Sequence, residues 1–171
     1  KIYKSYFLDT KNITPSQNFY CIDTFLKSKS GHKNYYSGLE FVIKDPNLKF
    51  ENQKWDIKNK VKIVFHFGGT DEKRLNLKVL KILSSYKSIK SISIILGPAL
   101  TYKKKEIKKL ISNIKIRCLL YDYPKNLSKI YNSANLGVIS GGNTLFNFCS
   151  GGKTNISIST NMYEKNNCLK M

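Results

Sequence analysis

From residue 61 onward the chain alternates short apolar, β-branched runs with longer stretches at helical spacing, and this rhythm most limits the folds open to it. Val61–Phe67 (VKIVFHF) ends in Gly68-Gly69, after which Leu75, Val79, Ile82, Leu83 and Tyr86 recur at helical intervals. Ser91–Leu96 (SISIIL) reads as a second strand closed by Gly97-Pro98, and Ile107, Leu110, Ile111 and Ile114 mark the next helix. Ile116–Tyr121 (IRCLLY) is a third strand, and Pro124 opens a helix with Leu127, Ile130, Tyr131 and Ala134 on one face. Leu136–Ser140 (LGVIS) is a fourth strand, followed by Gly141-Gly142 and a short helix over Thr144–Cys149. Thr154–Ser159 (TNISIS) is a fifth. Strands separated by helices imply βαβ crossovers, which place helices on both faces of a parallel sheet. The expectation is an α/β, Rossmann-like parallel sheet of five or more strands with helices on both faces, built from residues 58–171.

The preceding residues lack this rhythm. Lys1–Tyr36 mixes Tyr, Asn, Ser and Lys with weak periodicity, and Leu39–Ile43 (LEFVI) before Asp45-Pro46 reads as one strand and a turn. Residues 1–57 are expected to be the end of a preceding domain plus a linker, and a chain opening on Lys1 fits a fragment. A length of 171 residues suits one domain with part of a second.

Composition excludes several classes. With 41% hydrophobic and 24% charged residues, the chain folds around a core and is not a disordered tail. No 18-residue apolar run occurs and the first 20 residues lack a signal core, so neither a membrane span nor export is expected. Cys21, Cys118, Cys149 and Cys168 form no C-x-x-C pair and have no histidine at metal spacing. They read as reduced, mostly buried thiols, which suits a cytoplasmic protein. The net charge is +19, yet of 30 basic residues only Arg74 and Arg117 are arginine. Base readers and phosphate clamps lean on the planar arginine fork, so a lysine surplus spread along the chain reads first as coding bias, with a basic nucleic-acid-associated protein as the lesser alternative. Such a field still raises the local concentration of an anionic ligand.

Ligands of parallel sheets sit where strands lead into helices at their carboxyl ends. Those loops here are FGGTD, LLYDYP and ISGGNT. In Phe67-Gly68-Gly69-Thr70-Asp71 two glycines allow close backbone approach, the next helix offers free N–H groups, and Thr70 and Asp71 can cap it. Taken alone, this loop is either a phosphate cradle or a capped tight turn. Gly141-Gly142-Asn143-Thr144 repeats the arrangement, and two such loops on adjacent strands would face one ligand. Gly69, Thr70, Gly142, Asn143 and Thr144 are therefore expected to line one pocket. Gly152-Lys153-Thr154 is not a P-loop, since the required first glycine falls on Asn147 and the segment precedes a strand. FGGTDE also fails G-x-G-x-x-G, which gives little support to a nicotinamide or flavin cofactor. His66 reads as a core or supporting histidine and His32 as exposed, while the scattered tyrosines and phenylalanines read as core residues.

FGGTD-x-x-x-L-N-L-K after an apolar strand, then ISGGNTLFNFCSGGKT, then Asn161 near a final helix, resemble the second domain of the UDP-sugar hydrolases of pseudaminic-acid biosynthesis. Spore-coat polysaccharide proteins share the pattern, as does, more distantly, the C-terminal domain of the peptidoglycan N-acetylglucosaminyltransferase. The resemblance covers roughly residues 18–165, with Asn18-Phe19-Tyr20 and Gly38–Phe50 resembling the segment that joins the two domains. It implies the C-terminal half of a GT-B architecture, binding a UDP-sugar against an N-terminal domain that this chain lacks and that carries the family's catalytic histidine. Gly68, Gly69 and Thr70 would meet the diphosphate, backbone at Leu120 and Tyr121 the uracil, and Gly142, Asn143 and Thr144 the rest of the diphosphate pocket. Asn147 stands where the family places a ribose-binding glutamate. Asn161 matches the asparagine of an Asn-Gln pair near the sugar, and Met162 takes the place of the glutamine.

Overall fold

A computed structural model of the chain describes residues 5–8, 19–23, 33–43, 45–51 and 59–171. Asn18 and His32 lie outside the described residues. The N-terminal part contributes β1 (Ser5–Leu8), β2 (Phe19–Asp23) and β3 (Tyr35–Ser37), a small parallel sheet that the weak periodicity did not announce. Leu39–Ile43 is no strand. Leu39–Phe41 forms one 3-10 turn, because Gly38 and Asp45-Pro46 leave the run too short, and its apolar content is met by packing Val42 on Phe146. The turn at Pro46-Asn47 does form, with the Asp45 carboxylate accepting from the Asn47 N–H at 2.9 Å.

The five apolar runs become β4 (Val61–His66), β5 (Ile89–Leu96), β6 (Arg117–Asp122), β7 (Leu136–Ser140) and β8 (Asn155–Ile158). Between and after them lie α1 (Leu75–Leu83), α2 (Lys104–Ser112), α3 (Leu127–Asn132), α4 (Asn143–Ser150) and α5 (Met162–Lys170). Every pairing is parallel, in the order β6-β5-β4-β7-β8. The central strands are apolar on both faces because helices cover both. Ile63 and Phe65 join Ile92, Ile94, Leu80 of α1 and Ile107 of α2 on one face. Val64 and Ile95 join Ile139, Ile130 and Tyr131 of α3, and Leu145 and Phe148 of α4 on the other. α1 therefore buries a face shifted from the expected one. Leu80 is fully buried, whereas Ile82 and Tyr86 are 61% and 54% exposed. α3 is capped by the Asn126 side chain, which accepts from the Lys129 N–H, and Pro124 lies upstream of that cap.

Residues 45–51, placed by sequence in the linker, strap across α3 and α4. The Lys49 N–H donates to the Ser128 hydroxyl and the Glu51 N–H to Asn132, while the Phe50 ring stacks on Tyr131 at 6.1 Å. All four cysteines are free thiols. Only Cys21 is buried, and the other three are half-buried. Among the described residues, no helix is long and apolar enough to cross a membrane.

Candidate functional site

The strand order fixes where a ligand can be held. From β4 the sheet grows outward through β5 to β6, then the chain returns to the other side of β4 for β7 and β8. The order reverses between β4 and β7, and the carboxyl ends flanking such a reversal open a crevice between loops that turn to opposite faces. The two glycine turns, Gly68–Asp71 and Gly141–Asn143, follow these two strands. The first turn starts beside the end of β7: a side-chain carbon added at Gly68 would lie 3.7 Å from the Ser140 hydroxyl.

The two turns differ in what they offer. At the first, the carboxylate of Asp71 accepts from the Leu75 and Asn76 N–H groups at 2.7 and 3.1 Å, and also from the Asn76 amide and the Tyr102 hydroxyl. α1 is thus already capped by an internal anion, and its first two N–H groups, of Leu75 and Asn76, are taken. Burial, then this bond to Asp71, pushes the Tyr102 phenol well above its usual range. Asp71 sits at φ +48°, a left-handed position that aspartate tolerates, and Gly68 at φ +76°. What remains for a ligand is the turn backbone. The carbonyls of Gly69 and Thr70 point away, accepting from Ala99 and Thr101, while the exposed Gly69 and Thr70 N–H groups have no acceptor among the described residues. At the second turn, α4 begins at Asn143 with Gly142 as its cap and no side-chain cap bond, so this helix presents the open positive end.

Beneath the turns lies a buried polar chain. His66, the last residue of β4, places Nδ1 2.5 Å from the Tyr131 hydroxyl, and Thr144 at the start of α4 is buried. Burial lowers the His66 pKa to about 4, so the imidazole is neutral at pH 7 and holds Tyr131 in place. Burial likewise drives the Tyr131 phenol upward. Phe65 and Phe67 point to the opposite face, as strand alternation requires.

The remaining candidate residues are more dispersed. Leu120 and Tyr121 lie on the edge strand β6, two strands from β4 and three from β7, with side chains packed on opposite core faces. Asn147, one turn beyond Asn143 on α4, accepts from the Asp45 N–H at 3.4 Å. Asn161 caps α5, its side chain accepting from the Glu164 N–H at 3.0 Å. The structure thus sets Gly68 beside Ser140 on neighbouring strands and assigns Asn147 and Asn161 bonds within the fold.

Three contributors escaped the sequence reading. Gly97 was read only as a strand terminator, yet a side-chain carbon there would lie 2.3–2.4 Å from the Gly68 and Gly69 carbonyl oxygens. A glycine closing one strand beside a glycine turn on its neighbour was the signal available. Asn167, fully buried on α5, donates to the Gly141 carbonyl at 2.9 Å and braces the second turn. Glu164 binds the Thr160 N–H and hydroxyl through one carboxylate oxygen, and the other lies 3.8 Å from a carbon added at Gly142. It brings negative charge to the β8 side of the crevice, so an anion is favoured toward Gly69 and Thr70. Searches against protein-family models and curated proteins find no match to this chain.

Proposed function

We propose that this chain binds the diphosphate of a UDP-sugar across the reversal between β4 and β7. It would thereby form the nucleotide half of a hydrolase or glycosyltransferase in surface-polysaccharide or nonulosonic-acid biosynthesis. The observation that carries the reading is the placement of the two glycine turns at the carboxyl ends of adjacent central strands, one offering unpaired turn N–H groups and the other an uncapped helix start. Both suit an oxyanion, and both lie where parallel sheets place their ligands. The substrate class comes from the motif resemblance. In this reading the sugar and the catalytic base are supplied against the second, facing domain of such enzymes, and the chain by itself turns over no UDP-sugar.

Calorimetric titration with UDP, with inorganic pyrophosphate as competitor, tests this. Gly69 has open space around it, so Gly69→Glu leaves the fold intact and sets a like charge at the diphosphate. It should weaken UDP binding by about tenfold or more, worth about 1.4 kcal/mol. Wild-type protein that binds no UDP, or a Gly69→Glu variant that binds as well as wild type, overturns the assignment. A second reading, a nucleotide-sugar module without catalysis, is favoured by the engagement of Asn147 and Asn161 within the fold.

A further inference from the structure

The amino edge of the main sheet carries a different chemistry. There β4, β5 and β6 each begin with a pair of cations: Lys60 and Lys62, Lys87 and Lys90, Lys115 and Arg117. All six are exposed, and none pairs with a carboxylate among the described residues. They line one groove of about 1210 Å³, together with Tyr86, whose side is 54% exposed. That volume exceeds the roughly 300–1,000 Å³ of small-molecule clefts.

Among the described residues from 59 onward, the acids lie elsewhere. Between residues 59 and 171 the carboxylates are Asp71, Glu72, Glu106, Asp122 and Glu164. They occupy the β4–α1 turn, the first turns of α2 and α5, and the end of β6, all at the carboxyl edge. Helix dipoles account for acids at helix starts. They do not account for the six cations, which sit at strand starts and in the loops before them. Neighbouring strands lie about 4.8 Å apart, so the three pairs fall within one Debye length and act as a single positive field.

We propose that this groove binds a single-stranded nucleic acid through its backbone, independently of base sequence. Sequence-independent contacts to phosphate need charge and not the arginine fork, so lysines suffice. An exposed aromatic ring beside a cationic groove is the pairing that single strands use, one part for phosphates and one for a base face. A flat lipid surface does not enter a concave groove, and an acidic peptide has no use for the Tyr86 ring. A second copy of the chain, also at +19, is repelled.

The test is anisotropy with a labelled oligo-dT strand over a salt series, on the wild-type chain and two variants of equal charge. Wild type should show a log–log salt slope of about −4, from six cations at about 0.7 per phosphate. Lys60, Lys87 and Lys115→Gln together should reduce that slope by about 2 and weaken binding at least about tenfold. Lys73, Lys105 and Lys165→Gln, at the other edge, should leave the slope nearly unchanged. Tyr86→Ala should weaken binding about fivefold with the slope intact. Equal losses in the two triple variants would assign any binding to diffuse charge and overturn the proposal. Tighter binding to phosphatidylserine vesicles or polyglutamate than to the oligonucleotide, at the same salt, would do so as well.

Discussion

His66 shows how a single residue can serve the crevice without facing it. Its part-buried imidazole lies at the end of β4 and bonds the hydroxyl of Tyr131 on α3. Folding keeps this group neutral, with a pKa near 4 against an ordinary 6.5, so the unfolded chain takes up the extra proton between those values. The associated stability is complete above about pH 6.5 and is lost as the pH falls toward 4, by at most about 3 kcal/mol. Denaturant unfolding at about pH 7 and pH 4.5 should therefore show a smaller acid loss in His66→Gln than in wild type. Equal losses would assign the acid sensitivity to another group. That His66 lies on the sheet face opposite Phe65 and Phe67 was legible from strand alternation. Its partner was not, because Tyr131 lies 65 residues away and only the fold brings it near.

Among elements, the glycine turn after β4 is set as much by its neighbour as by its own sequence. Gly97, at the end of β5, lies against the Gly68 and Gly69 carbonyls, so a methyl group there displaces backbone, not a flexible side chain. Gly97→Ala should cost at least about 2 kcal/mol in thermal unfolding, the range of overpacked sites, and abolish UDP binding together with it. A variant as stable as wild type would mean that the turn moves freely and is no fixed cradle. The strands were legible because β4, β5 and β7 are buried on both faces and so read as unbroken apolar runs. β1 to β3 span three to five residues each, too short for a periodicity to emerge from a Tyr- and Asn-rich background. The motif around the first turn was legible, but the role of Asp71 was only half so. Sequence offers it as a cap, and the fold shows that the cap occupies the Leu75 and Asn76 N–H groups that a phosphate would use.

For the molecule as a whole, the boundary read at residue 57 and the packing around it diverge. Phe50, on the strap, joins the core of the main sheet through Tyr131 and Phe148, at 6.1 Å from each ring. Phe50→Ala should lower the unfolding free energy by about 2 kcal/mol, whereas a residue in a mere linker stays within about 0.5 kcal/mol. Denaturant midpoints decide between the two. Net charge was plain in composition, but the gathering of the acids of residues 59–171 at the carboxyl edge was not, since it depends on which loops share an edge. The same strand order also sets a clock. Lys62 of β4 pairs with Asn135, 73 residues later, at the start of β7. At a synthesis rate of roughly 5–20 residues per second, β4 waits about 4–15 s after leaving the ribosome before its second neighbour exists. During that interval β4, β5 and β6 can pair while the β7 side of β4 stays open, with Val64 not yet covered by α3 and α4. The nascent chain is then most exposed to aggregation at the strand that will later border the crevice, and a stall between residues 100 and 135 would leave it there.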